Sequence, residues 1–423
     1  MSEIGRTVAG RLSWSLADQI LASATNFALM VVVARAVSAA EFGVFAVVTA
    51  GFVLAVFVSR GVGADPLVVR YTGASDADWS AAVRASLAAV LSVGIAGALM
   101  IASLAMLVGG GLHHVALVSA TILPGVLLQD HVRYACFSRG RPVQAFLNDL
   151  LWAVLQLAAT AAALAHGVRS IPLLLALWGL SGTCAALVGL VQLGHGPDLT
   201  RVRWWFREHR ELWRAHVAEN GLMQATNVAV LGLVAAVAGA AAAGGIRAAV
   251  LIFSPLTVLG VVAMGSGVSE LARVAERDPR ALRRYTLVLA WGLGLFSVLW
   301  GIGALLLPDS AGRALLGSSW ETASPLLLLI TVDALASLFV VGPFVGLRVL
   351  CAGRRSLHVR LVFAGLRLVF AGGGAVVGGA QGAVAGFAAV APAQMAGWWW
   401  QFRRSSDEQM RDSLANGRRA PVV

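Results

Sequence analysis

Few residues of this chain could do chemistry in an apolar setting, and they fall into a handful of groups. Asp18 and Asn26 stand in the first long apolar run, and Glu219 and Asn227 stand at matching places in a later one. Asp130, Arg133 and Asp149 cluster in "QDHVRYACFSRGRPVQAFLNDLLW", residues 129–152, while Arg35, Arg247, Asp333 and Arg367 are scattered through other apolar runs. A carboxylate in such a place can take up a proton or a small cation, and an intramembrane guanidinium must find an anion, a carboxylate or water. Arginines gathered around a cleft can hold a phosphate or pyrophosphate through charge-assisted hydrogen bonds. Other chemistry lacks its parts. The chain has no lysine, so neither a P-loop lysine nor a Schiff base can form. His113-His114 has no Cys, Asp or Glu at ligand spacing, so no metal site and no cofactor are expected. The glycines of "GGGAVVGG" suit close helix packing better than a phosphate loop. The longest expected outer loop, 308–323, holds only Asp309, Arg313 and Glu321, too little for a membrane-embedded catalytic domain, and no enzyme is expected.

The elements that must position these residues follow from composition. Apolar residues make up 58% of the chain and charged residues 13%, against roughly 25% charged in a soluble domain. Twelve apolar runs approach the ~20 residues needed to cross a bilayer. They lie near 13–36, 42–60, 83–108, 112–138, 143–166, 170–194, 215–237, 245–269, 284–307, 324–350, 355–379 and 380–402. The runs are continuous rather than alternating, which predicts helices, each satisfying its own backbone, and not barrel strands. No small-residue cleavage site follows the first run, which is therefore expected to be a retained span.

Charge gives orientation. With the N-terminus in the cytoplasm, all basic residues but Arg35, Arg169, Arg247, Arg313 and Arg367 fall in or beside the even-numbered loops and the two tails. That asymmetry predicts a multi-pass protein of a bacterial inner membrane with both termini cytoplasmic. A net charge of +11 dealt out to alternate loops is not the single basic face of a nucleic-acid binder. None of Cys136, Cys184 and Cys351 falls in an outer loop, so no disulfide framework is expected. "RVRWWFREHRELWR", 201–214, reads as an amphipathic connector in the headgroup layer, anchored on anionic lipid. The tail from Arg403 is short and polar and is expected to be partly disordered. The expected organisation is a six-helix bundle over 1–195, a cytoplasmic linker over 196–214, a second bundle over 215–402 and a tail over 403–423.

An internal repeat explains the matched polar residues. Thr25-Asn26 aligns with Thr226-Asn227, and Asp18-Gln19 aligns with Glu219-Asn220, an acid followed by an amide both times. Each half holds six spans, an even number, so both halves begin on the same side. The repeats are then parallel, related by a pseudo-two-fold axis along the membrane normal, and a cleft between them would serve alternating access. At 100° per residue, Asp18 and Thr25 lie within about 20° of each other on one stripe. Asn26 and Asn227 either bond between helices as packing glue or line the cleft. Asp18 and Glu219 either pair with Arg11, Arg60 or Arg214 near the helix ends or couple transport to an ion. Arg35 and Arg247 either snorkel or face the cleft, and Arg367 either meets a phosphate or forms a salt bridge with Asp333. Asp130 and Arg133, three apart, can pair on their helix. With Asp149 they form a pin, or a gate, at the cytoplasmic end of the first bundle.

These residues carry a resemblance. "LSWSLADQILASATNFALMVVVARAVSAAEFGVFAVV" resembles the opening of Wzx-type polysaccharide flippases of the multidrug/oligosaccharidyl-lipid/polysaccharide (MOP) exporter superfamily, most clearly in "ARAVSAAEFGVFA". "QDHVRYACFSRGRPVQAFLNDLLW" is similar to that family's span 4–5 region, and "GGIRAAVLIFSPLTVLG", with Pro255 in mid-span, resembles a piece of its second half. The resemblance covers nearly the whole chain. It implies an all-α polytopic membrane protein of about twelve transmembrane helices in two six-helix bundles, MATE/MOP-like. It also implies a cationic cavity for a lipid pyrophosphate head, for which Arg35, Arg247 and Arg367 are the candidates. The expected function is translocation of a polyprenyl-pyrophosphate-linked oligosaccharide for surface polysaccharide synthesis, with Asp18, Glu219 and Asp333 as candidates for coupling to protons or sodium. Membrane lipids are expected partners, and a polysaccharide polymerase and glycosyltransferases are candidate ones. Lipid II flippases of the superfamily typically have fourteen spans, which disfavours that branch. A cation-coupled drug or metabolite exporter and a membrane-embedded glycan ligase remain as alternatives.

Overall fold

The computed structural model describes residues 3–107, 111–277, 281–350 and 352–416, and every regular element among them is helical. The first half comprises α1 (Glu3–Ala36), α2 (Ala39–Ser59), α3 (Asp65–Tyr71), α4 (Asp76–Ala105), α5 (Gly111–Ser138), α6 (Pro142–Ala165) and α7 (Ile171–Leu193). Two short helices follow, α8 (Val202–Glu208) and α9 (Arg210–His216). The second half comprises α10 (Leu222–Ala238), α11 (Ala240–Ile252), α12 (Ser254–Arg277), α13 (Ala281–Leu305), α14 (Asp309–Leu316), α15 (Ser319–Ala323), α16 (Leu327–Phe339), α17 (Val341–Val349) and α18 (Gly353–Asn416). Among the described residues nine helical stretches are long and apolar enough to cross a membrane. The pair Ala240–Ile252 and Ser254–Met264, bent by 56°, makes a tenth, and Gln224–Ala238 is a shorter apolar helix.

Local chemistry sets the boundaries. Ser38 N donates to Glu41 Oε2 at 2.9 Å and Glu41 N donates to Ser38 Oγ at 3.3 Å. This capping box starts α2 and gives the S-x-x-E of "ARAVSAAEFGVFA" its physical meaning. Ser75 caps α4, its hydroxyl accepting from Asp78 N at 3.2 Å. Pro142 and Pro172 open α6 and α7, where a missing N–H costs nothing. Gly194 ends α7 in the left-handed region, φ +69°.

Three segments differ from the sequence expectation. The second span was expected to end at 60, but helical backbone runs from Ala39 to Tyr71 because a π turn, Arg60–Ala64, carries α2 into α3. The apolar runs 355–379 and 380–402 form one element, α18, broken at Gly378 and Gly379, the latter at φ +57°. The two arms then fold back closely: a Cβ on Gly382 would lie 2.0 Å from the Gly374 carbonyl oxygen. The tail beyond Arg403 was expected to be partly disordered, yet α18 continues to Asn416 with Ser405 and Ser406 buried. Arg283 pairs with Asp407 at 2.5 Å and Arg355 with Glu408, which fixes this last stretch against the bundle.

By packing, the chain divides into two compact units, Met1–Val37 with Phe45–Val228, and Ser38–Val44 with Ala229–Val423. In the first, α5 packs against α4, α6 and α7, and α1 packs against α6. A core of Trp79, Leu87, Val132 and Ala186 closes around Trp205 of the connector, which is fully buried. The connector was expected to lie in the headgroup layer, but it docks on protein through Trp205 of α8 and through His209, which follows that helix. Arg203, Arg207, Arg210 and Arg214 are exposed, and at 100° per residue Arg203 and Arg207 lie on the face of α8 opposite Trp205. In the second unit, α13 packs on α16 and α17, and α18 packs on both of those. There the start of α2 meets α11 backbone to backbone: a Cβ on Gly244 would lie 2.4 Å from the Ala39 carbonyl oxygen.

The fold-back of α18 is testable. Gly382→Val must push the two arms apart, and overpacking of this kind costs about 1–3 kcal/mol. The variant is expected to melt several degrees below wild type in detergent, and an unchanged melting temperature would contradict the close approach.

Candidate functional site

The first unit holds a charged cluster inside its helical core. α1 supplies Asp18, α5 supplies Gln129, Asp130 and Arg133, α6 supplies Asn148 and Asp149, and the π turn supplies Arg60. Arg133 lies at the centre. Its guanidinium donates to Asp18 Oδ2 at 2.6 Å and reaches Asp149 Oδ2 at 3.3 Å and Gln19 Oε1 at 3.3 Å. Gln129 Nε2 donates to Asp149 Oδ1 at 2.7 Å and to Asn148 Oδ1 at 3.2 Å, and Asn148 in turn donates to the Ala185 carbonyl at 2.8 Å. One turn away Arg60 grips Asp130 with both prongs, Nε to Oδ2 at 2.8 Å and Nη2 to Oδ1 at 2.7 Å. The Arg60 guanidinium also sits 5.2 Å from the Phe57 ring and 5.0 Å from the Tyr134 ring.

Asp18, Asp130, Arg133 and Asp149 are all buried. With every group ionised, three carboxylates face two guanidiniums, and the surplus negative charge lies where Asp18 and Asp149 share Arg133. Asp18 Oδ1 is buried without a hydrogen-bond partner. Unsatisfied charge in a low-dielectric interior is costly, so such an arrangement persists only with a compensating positive charge or a bound proton.

The pairing differs from the sequence expectation. Asp130 and Arg133 were expected to pair along α5, but each reaches across to another helix, Asp130 to Arg60 and Arg133 to Asp18 and Asp149. Of the two readings left open for Asp18, the ion pair had Arg11, Arg60 or Arg214 as its candidate partners, and the arginine that Asp18 meets is Arg133. The physical reason is that α5 is central in its unit and presents its polar residues to neighbours on several sides. The buried amides Gln129 and Asn148 were not singled out from the sequence. Their signal was present, as each directly precedes an aspartate in "LLQD" and "FLND".

The matched Thr-Asn pairs divide. Thr25 shares the buried face of α1 with Asp18, its hydroxyl donating to the Leu21 carbonyl at 2.7 Å. Asn26 and Asn227 are exposed, and Asn227 donates to Gln224 on its own helix, at 3.4 Å. Among the described residues neither amide makes the interhelical bond that a packing role requires. Glu219 falls in the π turn Val217–Gly221, and its side chain lies outside the described residues.

In the second unit Arg367 meets Asp333, Nη2 donating to Oδ2 at 2.9 Å, with Gln394 Oε1 at 3.5 Å and the Phe387 ring 4.6 Å away. Its charge is therefore matched within the protein. Arg247 is half-buried in α11, its Nε is buried without a partner, and no ion pair reaches it among the described residues. Arg35 is exposed at the end of α1.

At the connector, His209 sits under Trp205 with ring centroids 3.9 Å apart, and its Nε2 is 3.2 Å from the Tyr71 hydroxyl. Burial pushes its imidazole below the ordinary histidine range. Asp198 is held below the usual carboxylate range, chiefly by the Thr200 hydroxyl and then by the Thr200 N–H, Arg84 and Arg201.

No protein-family model and no curated protein matches the chain. Solved structures share its fold. A lipid II flippase, MurJ, in an inward closed conformation superposes with a TM-score of 0.67 at 10% identity, covering 96% of this chain and 92% of that one. An inward-facing multidrug resistance MATE transporter of the MOP superfamily gives 0.64 at 16% identity, over 92% and 95%. A MOP superfamily transporter from Pyrococcus furiosus, described as having a binding pocket of reversed polarity, gives 0.57 at 15% identity, over 96% of both chains. The likeness is one of fold, which this chain shares with all three of these structures.

Two expectations follow from the site. Arg133→Gln strands two buried carboxylates, and removing one partner of a buried ion pair costs about 3–5 kcal/mol. Asp18→Asn removes the surplus charge instead and is expected to cost much less. Equal melting temperatures for the two variants in detergent would contradict the shared guanidinium. The second concerns His209. Its stabilising contribution is present above the ordinary histidine value of 6.5 and is lost as pH falls, because the unfolded connector takes up a proton that the buried ring refuses. Relative to its cleavage of an unstructured arginyl peptide at the same pH, trypsin is expected to cleave 201–214 faster below about pH 6 than at neutral pH, with the difference reduced in His209→Gln. A pH-independent relative rate in wild type would refute it.

Proposed function

We propose that the chain is a flippase of the MOP type that carries a polyprenyl-pyrophosphate-linked oligosaccharide across a bacterial inner membrane. In this reading it has twelve spans in two parallel six-helix bundles. The spans missing from the length-based count are α10 and the second arm of α18. Both termini face the cytoplasm, alternating access moves the cargo, and a proton or sodium ion drives the cycle. The observation that carries the coupling part is the surplus carboxylate at Arg133. A proton or small cation entering there removes the charge imbalance, and its release restores it, so occupancy changes the energy of the first unit. The anionic cargo is supported by Arg247, half-buried with an unpartnered Nε, and by the excess of arginine over acid. Arg35 is the companion candidate for the cargo, as are Asn26 and Asn227 for its sugars, while Arg367, neutralised by Asp333, is assigned to helix packing or to a second coupling pair. Exposed Arg203, Arg207, Arg210 and Arg214 suit anionic lipid headgroups at the inner leaflet.

A second reading, a cation-coupled exporter of cationic drugs or metabolites, is favoured by the same carboxylate surplus, since in the buried cluster Asp18, Asp130 and Asp149 outnumber Arg60 and Arg133. Reconstituted vesicles separate the two. A fluorescent short-chain polyprenyl-pyrophosphate oligosaccharide is expected to flip at a rate that falls at least tenfold in Arg247→Gln, a loss of about 1.4 kcal/mol or more in transition-state terms. Efflux of a cationic dye is expected to be absent. Dye efflux without lipid flipping would replace the flippase reading with the exporter one.

A further inference from the structure

We propose that Trp205 of the connector is a positioning residue for the buried charge cluster: it holds the π turn Arg60–Ala64 in place, and the π turn holds Arg60 on Asp130. The inference rests on the coupling role given to that cluster above. Its own claim is a linkage between two places that do not touch.

A π turn carries one residue more than the α-helix around it, and so leaves backbone carbonyls without their ordinary partners. Here Val62 O accepts a hydrogen bond from Trp205 Nε1 at 2.8 Å, from a residue 143 positions later that is fully buried. Four more contacts hold the same stretch to the connector. The Tyr71 hydroxyl lies 3.2 Å from His209 Nε2, and Arg70 reaches Glu208 Oε1 at 3.1 Å. His216 Nδ1 lies 3.6 Å from Asp65 Oδ2, and a Cβ on Gly61 would sit 2.8 Å from Val217 N. On its other side the turn faces α4 and α5: a Cβ on Gly63 would meet Val90 Cγ2 of α4 at 2.4 Å and His131 of α5 at 3.1 Å. His131 is the neighbour of Asp130. The "RGVG" of this turn therefore fits between connector and cluster with no room for side chains at either glycine.

Arg60 is the first residue of the turn, and its two-pronged grip on Asp130 demands a planar, aligned approach. Relaxing the π turn to α-helix removes one residue from the winding, a rotation of about 100° and a shift of about 1.5 Å. The grip does not survive such a change. The chain leaves the first unit through this connector into α10, whose residues from Ala229 onward belong to the second unit. Rearrangement of the second unit thus has a direct covalent route to Trp205, then to Val62, and then to the Arg60–Asp130 pair. By reciprocity, whatever happens at Asp130 must be felt at the connector to the same degree.

Hydrogen exchange on the full-length protein in lipid nanodiscs tests this. Asp130→Asn touches nothing in the connector, yet exchange of 203–213 is expected to accelerate on the order of tenfold, within the usual range of such couplings. Trp205→Phe keeps the ring packed and deletes only the donor; it is expected to accelerate exchange of 58–66 by a similar factor. Should Asp130→Asn fail to fold, Arg60→Lys keeps the charge but loses the fork and is expected to act in the same way. A connector that exchanges at the wild-type rate in these cluster variants overturns the proposal. So does a π turn unmoved by Trp205→Phe, since Trp205 is then only a core residue. Exchange is read without any cargo, so an error in the assigned cargo leaves this result standing, and absence of the linkage defeats the inference whatever the cargo is.

Discussion

One guanidinium shared by two carboxylates governs the first unit. Arg133 binds Asp18 from α1 and Asp149 from α6 while itself belonging to α5. Three helices of an apolar bundle are therefore tied at one point by charges that cannot be solvated from outside. Such a knot specifies which faces of α1, α5 and α6 meet, because any other rotation would leave an ion alone in a low-dielectric interior. It also leaves the group one positive charge short. The same feature that fixes the helices thus makes their energy depend on whether a proton or cation is present.

The Arg60–Asp130 pair surrounds that knot with a second condition. It is balanced, and it is built on an irregular turn whose carbonyl is satisfied from the connector. A regular helix would have placed no demand on the connector at this point. The π turn, the paired glycines and the buried Trp205 make sense together, as one device linking the backbone of the second span to the segment that leads into the other half. Arg367 and Asp333 show the contrasting case, a matched pair with no surplus.

Much of this was legible in the sequence. Length and hydropathy gave an all-helical chain and most of its long apolar helices, the arginine asymmetry gave an orientation to expect, and the repeat of an acid–amide pair and Thr-Asn pointed at the face of α1 that carries Asp18. The Arg367–Asp333 pairing could be anticipated because few intramembrane charges existed to choose between. What could not be read was which charge meets which. Spacing rules favour partners on the same helix, whereas α5 is packed on several sides and its charged residues reach different neighbours. The amides Gln129 and Asn148 carried a weaker signal, each directly preceding an aspartate, but an amide in an apolar run does not by itself tell a network from packing. The π turn was invisible to hydropathy, although "RGVGADP" placed two glycines and a proline beside a charge. The docked α18 terminus was read as a tail because its polarity is matched by arginines far away in the chain, Arg283 and Arg355.

The central claim is that the surplus carboxylate at Arg133 takes up the coupling ion during transport. Currents from reconstituted protein on a solid-supported membrane test it most directly. An imposed proton or sodium gradient is expected to give a transient current in wild type and none in Asp149→Asn, where the surplus is gone. A current of wild-type size in Asp149→Asn would show that charge moves through some other group, and would contradict the account.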